Sequence, residues 1–69
     1  MKTEVFNKVE GKNINEAKEI LVENGYCAYF MRVVECENST ILKVRDNATT
    51  FTSLYDFGKG IEEKKSYRI

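Results

Sequence analysis

The segment from Tyr26 to Cys36, YCAYFMRVVEC, is the longest run of strand-forming residues in the chain and constrains the fold more than any other stretch. β-Branched and aromatic side chains suit a pleated, packed surface. Successive strand residues point to opposite faces, so Cys27, Tyr29, Met31 and Val33 share one side, and Tyr26, Ala28, Phe30 and Val34 the other. Both sides are apolar. The segment therefore reads as a central strand around which the remaining elements are arranged.

A helix precedes it. Asn13 or Asn15 supplies a cap, Glu16 suits the positive field of a first turn, and Ile14, Ala17, Ile20 and Leu21 recur at helical spacing. Gly25 then stops the helix, which spans about 14–24. Farther upstream, Thr3, Val5, Asn7 and Val9 alternate as an outer strand, although Val5 and Val9 would also share one face of a short helix.

After the central strand, Glu37–Thr40 is a polar turn cluster and Ile41–Asp46 a second strand, which predicts a hairpin. With a loop of even length, Cys36 faces Ile41, Val33 faces Val44 and Arg32 faces Arg45. This joins Tyr29, Met31, Val33, Leu42 and Val44 in a layer against the helix. Tyr26, Phe30, Arg32, Val34, Ile41, Lys43 and Arg45 form the opposite face. An odd loop would exchange the faces of the second strand.

Residues 53–64 support two readings. Ser53-Leu54-Tyr55-Asp56 fits a capping box, and Leu54, Phe57 and Ile61 recur at helical spacing, which favours a helix. Gly58 and Gly60 oppose it, at about 1 kcal/mol each. The rival is a hairpin with Phe51, Ser53, Tyr55 and Phe57 alternating and Gly58-Lys59-Gly60 turning. Lys65–Ile69 ends the chain as a strand in both. The expected class is α+β, a single domain over 1–69 with an antiparallel sheet and one or two helices on one face. On the helical reading, the order βαββαβ resembles the ferredoxin-like arrangement in element order alone.

Composition narrows the function. A chain of 69 residues builds only a small core. Its eleven basic and eleven acidic residues are interspersed, which argues against whole-molecule steering toward nucleic acid or a membrane. No apolar run has the length of a membrane span, and the first residues lack a signal-peptide core, so a cytoplasmic location is expected. Cys27 and Cys36 lie ~30 Å apart in one extended strand and should not pair with each other. Each is read as a small buried hydrophobe. With no histidine and no nucleophile motif, neither an enzyme nor a metal or other cofactor is expected.

Two binding readings remain. A sheet face apolar enough to need covering predicts a protein partner, either a host protein or a second copy in a homodimer. Tyr26, Phe30, Arg32, Val34, Ile41, Lys43 and Arg45 are its candidate contact residues. The Asn-, Lys- and Glu-rich, proline-free composition resembles the small accessory proteins of phages and mobile elements, which implies a regulator or inhibitor. The alternative is nucleic-acid binding through the same basic and aromatic face. Against it stands the expectation that its cations pair with Glu10, Glu35, Glu37 or the helix carboxylates.

Overall fold

A computed structural model describes residues 1–68. The chain runs α1 (Thr3–Val9), α2 (Ile14–Glu23), a 3-10 turn (Ala28–Phe30), then β1 (Met31–Glu35), β2 (Thr40–Asn47), β3 (Thr50–Asp56) and β4 (Ile61–Arg68). The strands form one antiparallel sheet in the order β1-β2-β3-β4, with α1 and α2 packed on one face. The α+β class and the helices-on-one-face architecture are those expected.

The second helix follows its local signals. Asn13 caps it, its side chain accepting from the Glu16 amide at 2.8 Å, and Gly25 follows with φ +94°. Ala17 and Leu21 are fully buried, one turn apart on the covered face.

Several expectations are corrected. The N-terminal segment is a helix, because Phe6 and Val9, three residues apart, both reach the core while Asn7 and Lys8 stay outside. Residues 53–64 form the rival hairpin: β3 and β4 pair antiparallel, with Asp56 Oδ1 accepting from the Gly58 and Gly60 amides across the turn. Gly58 and Gly60 have φ +107° and +92°, where a side chain is strained, so the glycines that oppose a helix enable the turn. The order is therefore ααββββ, and the βαββαβ arrangement is not the one adopted. Finally, the segment expected to be the central strand is the edge strand β1, which begins only at Met31, because the 3-10 turn interrupts the run after Cys27, and it has no fully buried residue. Cys27 and Cys36 are both exposed free thiols instead of buried hydrophobes. Ile69, read as part of the last strand, lies outside the described residues.

The β1–β2 register is also two residues from the one expected. Val33 pairs with Leu42 and Arg32 with Lys43, and the Cys36 amide donates to the Ser39 carbonyl at 2.8 Å. A slip of two preserves the faces, because side-chain direction has a period of two. Leu42 and Val44 thus remain on the inner face, where Leu54 and Ile61 join Phe6, Val9, Ala17 and Leu21 in the core.

Two polar connections fasten the helices to the sheet. The Gly11 amide donates to the Ile61 carbonyl at 2.8 Å, and the Ile61 amide to the Lys12 carbonyl at 3.0 Å. Gly60 passes so close to Gly11 that a β-carbon there would collide with the Gly11 carbonyl. At the other end, the Met1 amino group forms a buried ion pair with Asp46 Oδ2 at 2.8 Å, and the Thr52 hydroxyl donates to the same oxygen. The Lys64 ammonium donates to the Met1 carbonyl at 3.1 Å and lies over the Phe6 ring.

Candidate binding face

Residues directly opposed across antiparallel strands share a face. The register therefore determines what the uncovered side of the sheet presents. One row across the four strands is Arg32, Lys43, Ser53 and Lys65. On one side lie Arg45, Phe51 and Tyr67, with Phe30 at the β1 end; on the other lie Val34, Ile41, Tyr55 and Glu63. The helices lie on the opposite face and leave this one open.

The middle row forms the floor of a groove. Ser53 is only 3% exposed although it faces away from the helices, because the larger side chains beside it rise above its hydroxyl. Ring and cation side chains surround this small residue, enclosing a concavity of about 840 Å³. Ser53 stands between Lys43 and Lys65 in register, with no hydrogen bond from either ammonium among the described residues.

The rings are supported from the side. Arg45 lies over Phe30, with its guanidinium carbon 5.1 Å from the ring centroid, and its nitrogens donate to the Asn47 and Ala48 carbonyls. Tyr29 meets Phe30 edge-on at 5.4 Å, and Phe57 stacks on Tyr55 at 6.1 Å. The Tyr55 and Tyr67 hydroxyls are 3.4 Å apart, a hydrogen bond that raises the Tyr55 pKa. Phe30 remains 46% exposed, Tyr67 52% and Tyr29 86%.

Charge on this face is unbalanced. Arg32, Lys43, Arg45 and Lys65 share it with one carboxylate in register, Glu63, which lies 3.8 Å from Lys65 in an exposed pair of little energetic weight. Among the described residues, no carboxylate forms an ion pair with Arg32, Lys43 or Arg45. The expected pairing with Glu10, Glu35, Glu37 or the helices is therefore absent there. Arg32 and Lys43 are directly opposed, an arrangement that destabilises an antiparallel pair.

Of the residues singled out from sequence, Phe30, Arg32, Val34, Ile41, Lys43 and Arg45 are brought together on this face. Tyr26 is not. The 3-10 turn breaks the alternation, and Tyr26 packs against the helix-side core. Burial first, and the neighbouring Asp46 carboxylate second, push its phenol up to about 12. The residues that sequence reasoning left out are Phe51, Ser53, Tyr55, Lys65 and Tyr67, all contributed by β3 and β4. Their signal was the alternation of Phe51, Ser53 and Tyr55, legible only on the hairpin reading.

A second concavity, near Tyr26 and Asp46, is bordered by Lys2, Glu4, Lys8 and Cys27, a mixture of signs with no consistent chemistry. No helix of the described residues is long and apolar enough to cross a membrane. Compared with known families, curated proteins and solved structures, the chain matches none.

Proposed function

We propose that this chain is a small non-catalytic binding protein, a regulator or inhibitor that acts by seating an anionic macromolecule on the open face of its sheet. The observation behind this reading is the Arg32–Lys43 pair, two cations opposed across a ladder with no carboxylate bound to either among the described residues. A fold gains nothing from that repulsion; a partner's negative charge would relieve it. Exposed aromatic rings beside arginine are the side chains in which binding energy concentrates. A second copy seated face to face fits less well, because a two-fold axis there would set two cation rows against each other.

Retention on immobilised heparin, used as a generic polyanion, tests the reading. The protein should bind at low salt and elute as salt rises, whereas an Arg32→Glu/Lys43→Glu variant with an unchanged circular dichroism spectrum should flow through. Flow-through of the unmodified protein, or equal retention of both, would exclude an anionic partner on this face.

A further inference from the structure

We infer that the macromolecule seated on the open face is a single-stranded nucleic acid, an inference that rests on the reading of that face as the working surface. The anatomy of the groove distinguishes a nucleic acid from an acidic protein. Protein interfaces place apolar side chains at the centre, depleted of charge, and polar ones at the rim. Here the order is reversed: the Arg32, Lys43 and Lys65 row runs through the middle, and the rings stand beside it. A single strand needs that arrangement, with phosphates met by cations and bases laid on neighbouring rings.

The dimensions agree. Rows of side chains on one face repeat every ~7 Å along a strand, so the two ring-bearing rows that flank the cations are rooted ~14 Å apart, several times the ~3.4 Å rise per nucleotide of a stacked duplex strand. Rings on this spacing cannot follow stacked bases, but they can accept bases splayed apart. Four strands at ~4.8 Å span about 14 Å, room for roughly two to three nucleotides at about twice the stacked rise. A duplex is poorly suited, since reading its major groove requires a protruding helix or ribbon and this face is concave. Arg45 is stacked on Phe30 and bonded to two carbonyls, so it braces the end of the ring row, leaving Arg32 and Lys43 for phosphate, joined by Lys65 when it leaves its weak exposed pair with Glu63.

The test is fluorescence anisotropy of labelled oligothymidine and oligouridine, each of about twelve nucleotides, against a duplex of equal length. The full chain is titrated at about 50 mM salt and upward. Either single strand should bind more tightly than the duplex, with log K falling against log salt at a slope of about −2, as three phosphate contacts require. Tyr67→Ala should weaken binding five-fold or more with little change in that slope. Lys43→Gln should weaken it and flatten the slope. Preference for the duplex, or a Tyr67→Ala variant that binds like the unmodified protein, would overturn the inference. Heparin retention without oligonucleotide binding would also overturn it, leaving an acidic protein as the partner. Failure on heparin as well would remove the underlying reading.

Discussion

Leu54 and Tyr55 are chain neighbours on β3, yet Leu54 is wholly buried beneath the helices while Tyr55 borders the groove. The contrast extends across the sheet. On the covered face, Leu42, Val44 and Leu54 meet Phe6, Val9, Ala17 and Leu21 in an aliphatic layer with one ring. On the open face the large apolar side chains are mainly rings, interspersed with cations. Alternation along each strand keeps these two chemistries apart, so the core and the open face can be altered one residue at a time. What the difference teaches is where to look for cost. Substitutions on the covered face should reduce stability, and those on the open face should spare it.

The largest effect should come from Leu54→Ala, which removes a fully buried side chain at the centre of the core. A loss of about 3 kcal/mol is expected from urea denaturation. In a chain this small, with stability of roughly 0.05–0.15 kcal/mol per residue, that loss is a large share of the total. Next is Gly60→Ala, which combines a positive φ with a collision against Gly11, and should cost about 1–3 kcal/mol in the same measurement.

A pH series sharpens the comparison from the covered side. The neutral Tyr26 phenol is favoured by the fold, its folded value lying above the ordinary 10.0 at about 12. Its contribution is therefore intact below about pH 10 and is lost as pH rises through about 12. The unmodified protein should lose more stability across that window than Tyr26→Phe, as measured by denaturation at matched pH.

On the open face the sign should reverse. Lys43→Gln relieves the repulsion with Arg32 and should raise stability by a few tenths of a kcal/mol while weakening retention on heparin. Tyr67→Ala, at a half-exposed ring, should leave stability within about 0.5 kcal/mol. A loss as great as that of Leu54→Ala would mean that the open face helps hold the fold.

What could be read from sequence follows the range of each signal. The second helix is encoded locally by Asn13, Glu16 and Gly25, and it lies where those residues place it. The faces of the first hairpin were legible because they depend only on parity. Its register was not, because a slip of two leaves every side chain on its own face and only the tightness of the turn distinguishes the two. At Ser53–Asp56 a capping-box pattern competes with alternation, and pairing with β2 and β4 decides for the strand. Tertiary contact outweighs that local signal. The candidate face is accordingly half legible: Arg32, Val34, Ile41, Lys43 and Arg45 follow from alternation in the first hairpin, and the residues of β3 and β4 only from reading 51–69 as a second one.

The closure between Gly11 and Gly60 bears on the order in which the chain can fold. The sheet is a meander in which each strand pairs with the next, so it can grow hairpin by hairpin from contacts close in sequence. The helices are made before the sheet during synthesis, but the backbone that receives them, Gly60 and Ile61, emerges only after β3. Until then Val9 and Leu21 lack part of the surface that buries them in the finished fold. The nascent helix pair therefore waits, apolar side exposed, for the far end of the sheet to arrive.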